Sequence, residues 1–408
     1  MIRVLVQSWP LLLGVMLLMV GNGVQGSLLG IRGALEGFST LQLSIVMSAY
    51  FLGFLGGSWL APGMIRKVGH VRVFSALGSM ISAVLILYPM LLDWISWSAM
   101  RVLIGFCFSG IYVTAESWLN NTTSNETRGR ALSAYMIVQM LGIIASQGLL
   151  SLGDPNGYGL FIIPSVLVSL AFMPLLLADT PAPTFDSITP MSFARIFKTS
   201  PLGCVGMLLT GGIFAGMFGM ASVWGAKEAL TIAQIAAYGA ALYIGGLVLQ
   251  YPVGYLSDRV DRRALIMWMA AIGAVVMAVA TLIELPFTAI LVVALLLGGT
   301  INPLYSLLIA HTNDFLSKEE MPAASARLIF LNGFGAIFGP LASGYLMQVM
   351  DAPGYFLFLG VLFAGLAVYA AWRMSQRAGP VEHGAYSGLT PGASSLAVGA
   401  VLEGQAKR

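Results

Sequence analysis

Charge is what this sequence has least of. Lysine and arginine number 20 and aspartate and glutamate 17 in 408 residues, so 9% of side chains are charged against 58% hydrophobic, and mean hydropathy is +0.87. A soluble globule of this size needs more polar surface, so the chain belongs in a bilayer. The formal charge of +3 then reflects membrane topology, and no nucleic-acid partner is read from it. Cysteine is nearly absent too: Cys107 and Cys204 fall in apolar stretches where a thiol acts as a small hydrophobe, so no structural disulfide is expected. His70, His311 and His383 show no ligand spacing, which leaves no expected metal site. A Gly-x-x-x-x-Gly-Lys-Ser/Thr phosphate loop is missing, which argues against ATP-driven transport within this chain. No catalytic residue and no cofactor are expected.

What the chain does have is apolar length. Stretches of about 20 residues, each enough to cross a roughly 30 Å hydrocarbon layer as a helix, lie near 6–30, 41–64, 72–91, 95–119, 131–151, 158–178, 202–225, 232–256, 263–283, 286–310, 322–349 and 354–374. They are the expected spans one to twelve. Positive charge is biased toward one set of connections and both tails, including Arg3, Arg66, Lys67, Arg72, Arg128, Arg130, Arg259, Arg262, Arg263 and Arg373, while the other set carries only Arg32 and Lys227. Positive loops stay inside, so both termini are expected in the cytoplasm. The first stretch runs past the length of a cleaved leader and has a counterpart in span seven, so it is read as a helix.

Pro181, Pro183 and Pro190 with Arg195 and Lys198 mark a polar break, which divides the chain into a bundle over 1–178, a cytoplasmic linker over 179–200, a second bundle over 201–375 and a flexible Gly-, Ala- and Ser-rich tail over 376–408. The glycosylation patterns at Asn121-Thr122-Thr123 and Asn125-Glu126-Thr127 sit in a connection that the charge bias makes cytoplasmic, and are set aside.

The halves repeat. Gly23 and Gly216, Gly26 and Gly219, Gly53 and Gly246, Arg66 and Arg259, Tyr112 and Tyr305, Glu126 and Glu319, and Gly142 and Gly335 are all 193 apart. A half-length repeat in an apolar chain marks a transporter built from two similar bundles.

Span four begins at Arg101 and ends near Glu116, and a 3.6-residue period puts Arg101, Gly105, Phe108, Tyr112 and Glu116 on one face. Arg101 lies roughly 8 Å from the middle of that span. An intramembrane Arg is costly unless it meets water, a partner or a substrate. It is therefore a functional candidate, with backbone carbonyls or an acid such as Asp93 or Glu36 as the structural alternative. Glu116, near the cytoplasmic edge, suits an ion pair with Arg66 or Arg72 better than it suits proton binding. Asn22 and Gln25 in span one would be costly against lipid and are expected to face the central path. Gln139, Asn302, Tyr305, His311 and Asn332 are further candidates for that path, each explained equally well by interhelical hydrogen bonds. Met207, Met217 and Met220 with Phe214 and Phe218 fit an apolar cavity or, more simply, packing. Pro340, after Gly335 and Gly339, is expected to bend span eleven.

After span eight comes Gly254-Tyr255-Leu256-Ser257-Asp258-Arg259-Val260-Asp261-Arg262-Arg263. The offset-matched run after span two, Ala61-Pro62-Gly63-Met64-Ile65-Arg66-Lys67, keeps the bases and has Ile65 in the place of the acid. At a water boundary such charge pairs are expected to contribute about 1 kcal/mol or less each.

This motif, together with Arg101, Gly105 and Gly110, resembles the major facilitator superfamily. The block Glu116-Ser117-Trp118-Leu119-Asn120 with Arg128-Gly129-Arg130 is similar to its uncharacterised, YcaD-type bacterial branch. The resemblance extends to about residue 375. It implies an all-α integral membrane fold of twelve spans in two pseudo-symmetric six-helix bundles, working by alternating access. It further implies that Arg101 serves proton transfer or substrate contact, and that Gly254, Asp258, Arg259, Arg262 and Arg263, with Arg66 and Glu116, form a cytoplasmic gate. The expected function is secondary, proton-coupled transport of a small organic solute across the bacterial inner membrane, by a monomer whose partners are substrate, protons and the bilayer. A solute sensor that does not transport is the alternative. A membrane enzyme would need clustered His, Asp or Glu at one face, which this sequence scatters.

Overall fold

The computed structural model describes residues 2–122, 128–177, 191–317 and 320–376. Glu126, Glu319, the Asn125 glycosylation pattern, linker residues 179–190 and the tail beyond 376 lie outside the described residues. Among the described residues the chain is helical: α1 (Ile2–Leu35), α2 (Thr40–Val68), α3 (His70–Leu87), α4 (Trp94–Thr122), α5 (Arg128–Leu152), α6 (Gly159–Ala171), α7 (Met173–Leu177), α8 (Phe193–Thr199), α9 (Pro201–Lys227), α10 (Ile232–Ser257), α11 (Arg262–Leu282), α12 (Phe287–Asn313), α13 (Met321–Met350) and α14 (Pro353–Gln376). Twelve segments are long and apolar enough to cross a membrane, with α6 and α7 together making one of them. A helix satisfies its own backbone, which is why apolar spans take this form. Large side chains such as Trp59, Tyr251 and Leu282 stay exposed, as expected of surfaces facing lipid.

Span ends differ from the sequence reading for local reasons. The third helix stops at Leu87 rather than running to 91: Tyr88 still has helical backbone angles, but Pro89 brings no N–H to continue the ladder. The sixth breaks at Phe172: Pro174 has no N–H for the Leu170 carbonyl, which accepts instead from Phe172. By contrast α13 runs through Pro340 without interruption.

The chain divides into two compact units, α1–α7 and α8–α14. Within the first, α1 packs on α5 and α6, α2 on α4, and α3 on α4 and α6; within the second, α9 packs on α13 and α14, α10 on α12, and α11 on α12 and α14. The neighbour scheme is the same in both. It begins from matching caps: Ser39 and Gln42 form a capping box at α2, and Thr231 and Gln234 form one at α10. These residues are 192 apart (231 − 39 and 234 − 42), one less than the offset read from sequence.

The same one-residue slip appears where helices cross. A Cβ on Gly53 would overlap the Val102 carbonyl, and one on Gly105 would overlap that of Tyr50. In the second unit Gly245 meets the Leu295 carbonyl and Gly298 that of Leu242. The partner of Gly53 in the repeat is therefore Gly245, not Gly246, whose missing side chain instead makes room for Asn302. A small residue is compulsory at these crossings because the facing atoms are backbone and cannot swing aside. Gly105→Ala and Gly298→Ala should each destabilise by about 1–3 kcal/mol through overpacking. Gly56→Ala, with its nearest neighbour 4.0 Å away, should leave thermal unfolding in detergent unchanged.

Candidate functional site

Helix α4 is the most enclosed of the spans. Its close crossing with α2 at Gly105 brings Tyr50 and Met47 over Arg101, which is only 4% exposed. The guanidinium carbon lies 4.7 Å from the centre of the Tyr50 ring. Nη1 donates to Gln25 Oε1 at 3.1 Å and Nη2 to Met47 Sδ at 3.6 Å. Nε of Arg101, Nε2 of Gln25 and the hydroxyl of Tyr88 are buried and make no hydrogen bond. The Tyr88 hydroxyl is within electrostatic reach of the guanidinium.

No carboxylate answers this charge among the described residues. Glu36 pairs with Arg32 at 2.6 Å. Asp93 accepts from the Ser96 backbone N–H at 2.8 Å at the start of α4. Hydrogen bonds from the Ser96 side chain, then its backbone, hold the Asp93 carboxyl below the usual range. Both acids offered as structural partners for Arg101 are thus engaged elsewhere. A ring face, one amide oxygen and a thioether are weak compensation for a buried cation.

Asn22 joins this cluster, donating to the Tyr112 hydroxyl at 3.4 Å, which in turn donates to Met19 Sδ at 3.3 Å. Asn22, Gln25, Arg101 and Tyr112 therefore come together on α1 and α4. Gln139, on α5, sits apart from Arg101, beside the buried Tyr135 hydroxyl, which is also near Glu116 and Tyr112. Glu116 is completely buried, whereas Arg66 and Arg72 are exposed, so the ion pair expected among them is not formed.

In the second unit the loop after α10 is more than a surface latch. Arg262 is 1% exposed, and its Nη1 donates to Asp314 Oδ1 at 2.6 Å, with the Asp314 side chain as deeply buried. Arg262 Nε donates to Ser257 Oγ at 3.1 Å. Asp258, the acid singled out in the motif, is 3.5 Å from Arg262 and 44% exposed, so it is the weaker partner. Arg263 pairs with Asp261 at 2.7 Å, and Asp261 also caps α11. Arg259 folds over the Tyr255 ring. Gly254 is buried on α10. The expectation of about 1 kcal/mol per pair fails for Arg262, because both partners are withdrawn from water.

At the matched position in the first unit α3 opens with His70 (262 − 70 = 192). There Nε2 is 2.9 Å from Ser117 Oγ and the ring meets Trp118 edge-on. The remaining candidates lie in the second unit. Asn302 donates along its own helix to the Gly298 carbonyl at 3.0 Å, and Asn332 ties α13 to α9 through the Met207 carbonyl at 3.1 Å. Tyr305 and His311 are buried on α12, and Met207, Met217 and Met220 are fully buried in α9. The Phe214 and Phe218 rings meet at a tilt, 4.6 Å between centres.

Tyr50, Tyr88, Tyr135 and Asp314 were missed in the sequence. The signal for Asp314 was an acid placed just after an otherwise apolar span, which a count of basic loop residues ignores.

These features define an all-helical, multi-pass membrane protein made of two similar six-span units. Residues 205–396 match the Major Facilitator Superfamily family model. An uncharacterized MFS-type transporter, YcaD, from Escherichia fergusonii is 25% identical over 83% of this chain and 88% of its own. An uncharacterized MFS-type transporter from Yersinia pestis is 27% identical over 87% of this chain and 93% of its own. Among solved structures the nucleoside transporter NupG aligns with a TM-score of 0.74 at 14% identity, covering 91% of this chain and 99% of its own. A bacterial homologue of the human lysosomal transporter Spinster aligns at 0.72 and 15%, covering 90% and 96%. The resemblance to the major facilitator superfamily is borne out, and the fold is that of its transporters.

Asp314→Asn should cost about 3 kcal/mol, since it removes the buried counter-charge of Arg262 and leaves the exposed, more distant Asp258. Asp258→Asn should cost about 1 kcal/mol or less, its partner being shared and its own carboxylate wet. Thermal unfolding of the two purified variants separates these outcomes.

Proposed function

We propose that this chain is a secondary transporter of a small organic anion or zwitterion, proton-coupled and working by alternating access in the bacterial cytoplasmic membrane, as a monomer with both termini inside. The observation that carries this reading is the buried Arg101, with no counter-charge among the described residues and an unused Nε donor, flanked by unused donors on Gln25 and Tyr88. An anionic group presented there would supply the missing charge and accept from all three. Such charge-assisted bonds are among the strong ones, and a guanidinium fork matches a carboxylate or phosphate. We assign the coupling proton to Glu116, a fully buried carboxyl on the same helix as Arg101. Tyr112 lies between them along α4, and the Tyr135 hydroxyl on α5 is near both Glu116 and Tyr112. The relatives' shared description as transporters, and the absence of clustered acid and histidine among the described residues, favour movement of a solute over its chemical conversion.

The test is uptake into proteoliposomes, screening organic acids and amino acids under an imposed proton gradient. Arg101→Gln should lower transport of the substrate at least about tenfold, the loss of a charged hydrogen bond being of order 1.5–3 kcal/mol. Arg101→Lys should retain part of the activity, with a raised KM. An unchanged rate and pH dependence in a folded Arg101→Gln protein would sink the reading.

A further inference from the structure

The short helix α8 lies in the polar break between the two repeats. A single residue, Ser200, separates it from α9, where Ser200 Oγ accepts from the Gly203 N–H at 3.2 Å. Because α9 is a span, α8 lies where hydrocarbon gives way to headgroups. It is fastened to the start of α13: Phe193 meets Phe330 edge-on at 5.4 Å, Arg327 lies 4.4 Å over the Phe193 ring and donates to the Met191 carbonyl, and Arg195 pairs with Glu320.

Between α8, α9 and α13 this docking leaves a groove of about 500 Å³, lined by Phe193, Ile196, Phe197, Cys204 and Leu331, with Ala194 and Lys198 completing it. Its lining is apolar apart from one ammonium. Lys198 is exposed and has no partner among the described residues. Arg195 and Arg327 belong to the same docked helices, and among the described residues Glu320 is the acid paired there, so the described rim carries a surplus of positive charge.

We propose that this groove holds an anionic phospholipid, with an acyl chain along Ile196, Phe197 and Leu331 and its phosphate on Lys198. The chemistry of the site is divided as a lipid's is: a slot for hydrocarbon, and a free cation at the level of the headgroups. Basic pockets at the membrane boundary attract anionic lipids over zwitterionic ones, and a long Lys stem can cover apolar surface while its head stays wet. The bound lipid would brace α8 against α9 and α13, securing the second unit at the point where the linker reaches it. This is independent of what Arg101 binds.

The experiment adds dioleoylphosphatidylglycerol, dioleoylphosphatidylcholine or inorganic phosphate to the purified full chain in detergent and follows its apparent unfolding temperature. Phosphatidylglycerol should raise it by roughly 3 °C or more, and the other two by much less. Lys198→Glu, which reverses the headgroup contact, and Ala194→Trp, which fills the groove from an exposed helix position, should each lose at least half of that rise. The proposal fails if phosphatidylglycerol gives no rise, if phosphatidylcholine or phosphate alone matches it, or if either variant keeps the full wild-type response.

Discussion

Helix α4 can enclose Arg101 only because Gly105 allows α2 to lie against it, carbonyl to Cα. Any side chain at that crossing would push Tyr50 and Met47 away, and the guanidinium would lose the ring face and the sulfur that cover it. Lipid cannot drive helices together by the hydrophobic effect, so close van der Waals approach has to do this work. The buried polar cluster therefore depends on glycine in the two helices around it.

The second unit uses the same crossing for a different end. Gly245 and Gly298 set α10 and α12 as Gly53 and Gly105 set α2 and α4, yet Ala294 occupies the position 193 residues beyond Arg101, and no cation is enclosed there. At the boundary the roles reverse. The second unit buries the Arg262–Asp314 pair, while the first has His70 bonded to Ser117 at that place. The duplicated part is the packing scheme; the charges have diverged, so among the described residues each unit carries one deeply buried arginine, in a different place.

Much of this was legible in the sequence because membranes enforce simple rules. Twelve spans follow from apolar length, and Arg101 stands out because an arginine in hydrocarbon breaks the pattern. What could not be read were pairings across helices. Tyr50 is an ordinary aromatic until α2 is laid on α4, and Asp314 reads as a loop acid until Arg262 turns beneath the end of α12. The repeat was visible, but a constant offset of 193 hid a slip to 192 in α2 and α10, so Gly246 was matched in place of Gly245. The linking of Glu116 to Arg66 failed for a related reason: nearness to the membrane edge says nothing about which way a side chain faces, and these two face opposite environments.

Arg101 and Arg262 are compensated in opposite ways. Both are almost wholly withdrawn from water, and withdrawing a cation is costly in either place. Arg262 recovers that cost from a carboxylate 2.6 Å away and a serine hydroxyl, as a residue does when its task is to hold helix ends together. Arg101 has an amide oxygen, a thioether and the face of a phenol, and leaves one of its own donors idle beside two more. A purely structural arginine in that position would be better replaced by leucine or methionine of similar volume, which would fill the space without the charge. Its presence makes sense if the missing anion arrives from outside, binds and leaves. The incomplete pairing is then what allows turnover, since a carboxylate fixed beside Arg101 would compete with every substrate presented to it.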